Sequence, residues 1–423
     1  MPAARHVVVS TLLLSAIFAV CANVAGQVPP GSPAPLTLAE LEQMALAHNP
    51  TLVQAARRVA ALQGKYVQVG LLPNPSVGYV GEEIGDEGRA GLQGAGFSQQ
   101  IVTGGKLRLN RAVVSQEIAR ARQDWEIQRR RVVGDVRAAA YDVLAAERTR
   151  ALSEQLVRIG TEAEEVAEEL LKAQEVSRVD VLQARIEANT ARVLLSNARN
   201  AYRAAWRRLA SVAGVPDLAP APIQDRLEEG PAELEWEASL GRLLAGSPEL
   251  ARAYADVERA RCGLARELAG RKPDVDLEAA VLYNHGPEDT VASVGVAVPL
   301  KLFDRNQGNI ARAQAELGAA QQEVRRVELS LRERLAAEFR RYADARQEAA
   351  RYRQAILPDA KDSLELVREA YRQGEFDYLK LLTAQRTFFR VNLAYVDALR
   401  DLWLSSTRIE GMLLGGGLEA PGR

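Results

Sequence analysis

Periodicity and an internal duplication predict a mainly α chain with a small β part of membrane-spanning dimensions. Two stretches of about 68 residues, 106–173 and 305–373, are almost free of helix breakers. At 1.5 Å per residue each would form a rod about 100 Å long. Ahead of each rod the periodicity switches from helical to alternating, which gives four short strands per chain. The whole pattern occurs twice at an offset of about 200 residues, so the chain is two copies of one unit and not a solenoid array.

Composition narrows the function classes. The chain has 423 residues, 47% hydrophobic, with 54 basic against 55 acidic side chains. So even a balance gives no electrostatic case for nucleic acid. Three histidines and two cysteines leave almost nothing for a zinc or iron–sulfur site. No cofactor is expected.

Residues 1–26 read as an export leader. Arg5 precedes an apolar run from Val7 to Val20, followed by small residues at Ala22, Ala25 and Gly26. The run has about 14 residues, short of the roughly 20 that span a bilayer as a helix. Two outcomes are compatible with it: cleavage between Ala22 and Gly26, or lipid attachment at Cys21. Without the leader, Cys262 is alone and no intrachain disulfide can form.

The first copy spans residues 27–218 and the second 233–415, with a linker at 219–232 and a tail at 416–423. Each copy opens a Pro-led helix, His48-Asn49-Pro50 in one and Gly246-Ser247-Pro248 in the other. Each such helix stops before a proline, at Leu72-Pro73 and Lys272-Pro273. The rod 106–173 is rich in Ala, Arg, Glu, Leu and Gln, which lose least in a helix. A later helix, 177–212, carries Leu195, Ala198, Tyr202, Trp206, Leu209 and Val212 as a one-sided stripe suited to coiled-coil packing. Phe389, Leu393, Val396, Leu399 and Trp403 repeat it in 377–413. Pro358 interrupts the second rod and should kink it.

The strands fall at about 76–101 and 275–299. In the second copy Val275, Leu277, Ala279, Val281 and Tyr283 alternate with Asp276, Glu278, Ala280, Leu282 and Asn284. Roughly ten residues per strand suits a tilted crossing of a bilayer, although a soluble hairpin has the same pattern. A sheet in lipid cannot keep an open edge, and closed barrels need at least about eight strands. Four strands therefore cannot close alone. Three copies would supply twelve, with a helical tunnel wider than two copies could enclose.

In these segments the chain resembles the outer-membrane efflux protein family, the TolC-like trimeric channels of tripartite pumps. The resemblance is carried by Leu36-Thr37-Leu38-Ala39-Glu40-Leu41, Asn49-Pro50, Leu72-Pro73-Asn74-Pro75, Tyr371 to Leu379 and Leu382-Thr383-Ala384-Gln385. Ile356-Leu357-Pro358-Asp359-Ala360 looks most like the heavy-metal and multidrug branch. The resemblance implies a 12-stranded trimeric barrel in the outer membrane, a periplasmic helical tunnel and an equatorial region that includes the linker. It also implies a periplasmic adaptor and an inner-membrane pump, expected to be of the RND type, as partners. The gate would lie at the helix tips, around Gln174, Glu175, Asp180, Gly374, Glu375, Asp377, Lys380 and Thr383. Gln174 stands where relatives often have glycine, so the first tip turn is expected to be built differently from the second. Asp180 and Lys380, equivalent across the duplication, are either paired at the closed tip or solvated separately.

Other motifs carry no chemistry. Gly104-Gly105-Lys106 lacks the spacing of a phosphate-binding loop and reads as the start of a rod. Arg129-Arg130-Arg131 reads as a solvated helix face, and the Glu164-Glu165 and Glu168-Glu169 pairs have no pocket around them. The expected function is a passive outer-membrane exit duct for small molecules or metal ions. The alternatives are a soluble periplasmic coiled-coil scaffold and an outer-membrane component of type I protein secretion.

Overall fold

The computed structural model describes residues 34–88 and 90–421. The expected leader and Cys21 lie outside the described residues. The first copy runs α1 (Leu38–His48), α2 (Pro50–Gln68), β1 (Ser76–Glu82), β2 (Leu92–Ile101), α3 (Lys106–Lys172) and α4 (Arg178–Val212). The second runs α5 (Trp236–Gly246), α6 (Pro248–Ala269), β3 (Val275–Asn284), β4 (Asp289–Ala297), α7 (Gln307–Arg351), α8 (Leu357–Arg372) and α9 (Tyr378–Glu410).

The 67 residues of α3 form one unbroken helix, flanked by the 19 residues of α2 and the 35 of α4. In the second copy α6 and α9 flank α7 and α8 in the same way. Small side chains bring the columns together. A Cβ added at Gly160 of α3 would meet the Cα of Ala188 on α4 at 3.3 Å.

The second rod is interrupted. Residues Tyr352–Ile356 form a π-helical turn between α7 and α8, ending two positions before Pro358. A proline in a regular helix loses its N–H bond and presses its ring on the carbonyl four residues back, here that of Gln354. The wider turn relieves that clash. The first copy has Arg158 at the equivalent place and stays regular.

Two short helices, α1 and α5, were not separated by periodicity. Thr37 and Glu40 form a capping box that starts α1, a signal readable as T-x-x-E. Asn49 then ends α1 and caps α2, its Oδ1 accepting from the Thr51 amide at 3.0 Å. Ser247 occupies the same junction between α5 and α6 but makes no cap bond.

The linker and the tail are both anchored to the helices. Trp206 of α4 and Trp403 of α9 donate their indole N–H groups to the carbonyls of Leu218 and Leu227 at 2.8 and 2.9 Å. Leu36 bridges Ile223 in parallel. Gly417 of the tail donates its N–H to Asp135 at 2.7 Å and accepts from Gln128 at 2.8 Å.

Apolar burial is split into two clusters. The larger joins Leu41 of α1, Val132, Val136 and Val143 of α3, Leu209 of α4, Leu243 of α5, Leu331 and Leu335 of α7 and Leu399 of α9. Full burial of each such side chain contributes about 1.5–3 kcal/mol. The smaller cluster lies near the helix tips, with Ala163, Ala167, Val181, Ala184, Leu364, Tyr371, Tyr378, Leu381 and Leu382.

Candidate functional site

The four strands make one antiparallel sheet in the order β1-β2-β3-β4. Its central pair, β2 with β3, comes from different copies of the duplication and joins Leu92 to Asn284 and Ile101 to Val275. The register sorts the side chains. One face carries the rows Val77–Phe97–Ala279–Val294 and Tyr79–Ala95–Val281–Ala292. The other carries Ser76–Ser98–Glu278–Gly295 and Gly78–Gly96–Ala280–Ser293.

Charge is sorted more sharply still. The strands contain no lysine, arginine or histidine, and their four acids, Glu82, Asp276, Glu278 and Asp289, all fall on the polar face. The apolar face is bare within one chain: Val294 is 82% exposed and Val77 77%. This face matches lipid and the other matches water, as in a transmembrane barrel wall.

Helices leave the sheet at one end. Gly104 and Gly105 each adopt a φ of +67°, which turns β2 directly into α3. Asp274 ties that corner to the second copy, accepting from the Thr103 amide at 2.8 Å and from Lys106 Nζ at 2.9 Å.

At the far end the two helical hairpins meet. The expected difference between their turns is not found. Gln174 and Gly374 both adopt the left-handed conformation, at φ +64° and +74°. In both turns the next residue, Glu175 or Glu375, donates its amide at 2.9 Å to a carbonyl of the preceding helix, Leu170 or Ala370. The local hydrogen-bond pattern of a helix C-terminus imposes this shape whatever the side chain. Gln174 accepts the strain that Gly374 avoids. Glu175 lies against the second turn, with an oxygen 3.8 Å from where a Gly374 Cβ would stand.

Asp180 and Lys380 do not pair within the chain. Asp180 closes a capping box with Ser177, accepting from its amide at 2.9 Å and its hydroxyl at 2.7 Å. Lys380 Nζ lies 4.4 Å from the centre of the Phe376 ring. Asp377 caps α9 by accepting from the Lys380 amide at 3.0 Å, and Thr383 donates to the Leu379 carbonyl at 2.8 Å. The capping box engages the Asp180 carboxylate within its own turn, while the Lys380 ammonium rests against the Phe376 ring.

The contacts that join the two hairpins lie within about three turns of the tips. Glu162 of α3 accepts from both Arg368 and Arg372 of α8, and Glu187 of α4 accepts from Arg386 of α9. The hydrogen bond from Arg368 and the charges of both arginines hold the Glu162 carboxyl below the usual glutamate range. Tyr371 and Tyr378 stack edge-on at 6.0 Å beneath these pairs. Burial pushes both phenols up, and the nearby Asp180 charge adds to the shift of Tyr371. Sequence reasoning singled out none of these ionic residues. One signal was present: Glu187 and Arg386 carry opposite charges 199 positions apart, close to the repeat offset.

The family model described as outer membrane efflux protein matches residues 41–215 and 240–415, both halves of the duplication. The chain belongs to the outer membrane efflux protein family. It is 28% identical over 385 residues to the cobalt-zinc-cadmium resistance protein CzcC of Cupriavidus metallidurans, covering 90% of each chain. It is 26% identical over 326 residues to the outer membrane efflux protein BepC of Brucella suis, covering 75% of this chain and 70% of that one. The fold is that of the outer membrane protein VceC of Vibrio cholerae, with a TM-score of 0.73 at 18% identity over 90% of this chain and 97% of the other. This family member is accordingly an outer-membrane efflux channel of the tripartite-pump kind, with a β part in the outer membrane and a helical part in the periplasm. The soluble-scaffold alternative gives way to that assignment. Family and neighbours are channel proteins.

Proposed function

We propose that three copies of this chain form a passive exit duct whose cargo is metal cations, driven by an RND-type inner-membrane pump through a periplasmic adaptor. The observation that carries the reading is the sorted sheet, with an apolar face for lipid and a second face whose only charges are acidic. Three copies would repeat those acids around one lumen, where a single sign of charge concentrates cations and repels anions. The similarity to a cobalt-zinc-cadmium resistance protein favours a metal cargo over a protein substrate of type I secretion.

The gate in this reading is the ring of tips formed by Gln174, Glu175, Asp180, Gly374, Glu375, Asp377, Lys380 and Thr383. The ion pairs of Glu162 and Glu187 hold the second hairpin against the first, and opening requires α8 and α9 to part from α3 and α4. Adaptor binding would supply the differential contact that favours the open form.

The test is single-channel recording of the purified protein in a planar bilayer under a potassium chloride gradient. A reversal potential on the cation side is expected, and Asp276→Asn with Glu278→Gln should move it toward zero. An anion-selective pore, or selectivity indifferent to both substitutions, would refute the proposal.

A further inference from the structure

The strand order leaves β1 and β4 as the two edges of the sheet. With an even number of antiparallel strands, β4 of one copy and β1 of the next run in opposite directions. Sheets from successive copies can therefore join edge to edge in the same antiparallel pattern. The row Ser76–Ser98–Glu278–Gly295 lies at the helix end of the sheet. Closure brings the segment that enters β1 in one copy beside the segment that leaves β4 in its neighbour.

Those two outer segments differ in character from the two inner ones. The inner corners, after β2 and before β3, are polar and tied to each other by Asp274, Thr103 and Lys106. The outer segments carry apolar side chains that are uncovered. Leu71 and Leu72 precede β1, and Leu300, Leu302 and Phe303 follow β4. Phe303 is 91% exposed, Leu300 79% and Leu72 66%. Water exposure of such side chains is unfavourable, and their position beyond the helix end of both edge strands of one sheet makes them complementary.

We propose that Leu300 and Phe303 of one copy pack against Leu71 and Leu72 of the next, forming an apolar clasp at the periplasmic rim of each barrel seam. The occupant of this surface is thus a second copy of this chain. The clasp rests on the trimeric reading above and adds the element that seals each seam where strands give way to helices. There the backbone ladder between copies ends, so side-chain packing must take over.

The test uses full-length protein in a Cys262→Ala background, which removes the one thiol among the described residues. Leu72→Cys is combined in turn with Leu300→Cys and with Phe303→Cys, and the particle mass in detergent is measured by light scattering. A short bis-maleimide should convert at least one double variant to a covalent trimer on a denaturing gel, while the single variants stay monomeric. A particle of trimeric mass that gives no crosslink with either pair would overturn the clasp and leave the trimer standing. A particle of monomeric mass would overturn both. In parallel, Phe303→Trp is reconstituted in vesicles containing brominated phospholipid, with Val294→Trp as the lipid-facing reference. After subtraction of the signal of the unsubstituted protein, which carries four native tryptophans, the added fluorescence of Phe303→Trp should be at least several-fold less quenched than that of the reference. Equal quenching would assign this surface to lipid and refute the inference.

Discussion

Replacing Glu162 with glutamine should loosen the periplasmic gate. Glu162 is the single acceptor shared by Arg368 and Arg372, so the substitution removes both charge-assisted links between α3 and α8. The side chains are 35%, 38% and 46% exposed, which places the pairs in a strongly solvent-screened setting. Pairs of that kind contribute about 0.2–1 kcal/mol each, so about 1 kcal/mol per copy is a reasonable sum. If three copies open together, the closed state loses about 3 kcal/mol, or roughly a hundred-fold in the closed-to-open ratio. Single-channel recording in a planar bilayer measures that ratio as open probability. Glu165→Gln, an exposed position on the same helix, is the control. Exchanging charges, with Glu162→Arg and Arg368→Glu together, should recover part of the closed state. Open probability equal to that of the control would refute the clamp. Acidity is a second handle on the same group. The Glu162 carboxyl is held below its ordinary value, so its contribution is complete above the usual glutamate range and is lost as pH falls through the lowered value. The clamp should persist throughout neutral and mildly acidic conditions and weaken only once the pH falls below the usual glutamate range.

Gln174→Gly should stabilise the first tip turn by about 1 kcal/mol, since glycine adopts a positive φ without the steric cost borne by glutamine; limited proteolysis of the tip would report it as slower cleavage. Asn49→Ala should cost about 1–2 kcal/mol because it removes a buried cap. Ser247→Ala at the equivalent junction should cost under about 0.5 kcal/mol, because the Ser247 hydroxyl has no partner to lose. Thermal melts followed by circular dichroism would compare the two, and equal losses would contradict the assignment. Gly94→Ala should abolish the assembled sheet, because its Cβ would stand 1.9 Å from the Val281 carbonyl oxygen; a trimer of normal heat-resistance on a denaturing gel would contradict that.

Much of this architecture is written locally. Runs of good helix formers and the alternation from Val275 to Asn284 each depend only on neighbouring residues, so the rods and strands were legible in the sequence alone. The duplication was legible for the same reason. The need for further copies follows from strand number, because an open edge in lipid leaves backbone groups unpaired. Short elements were harder: α1 and α5 have 11 residues each, too few turns for periodicity to stand out.

What only the tertiary structure decided involves residues far apart in the chain. Pairing of β2 with β3 across the two copies, the shared arginines of Glu162 and the π turn before Pro358 are of this kind. Asp180 and Lys380 make the point from the other side: equivalent positions and opposite charges left a pair and separate solvation both open, and in the fold each side chain has a nearer partner in its own turn. Periodicity records which face a side chain takes. The contacts it makes there depend on how two helices approach, at ångström scale, and on which neighbour reaches the polar group first.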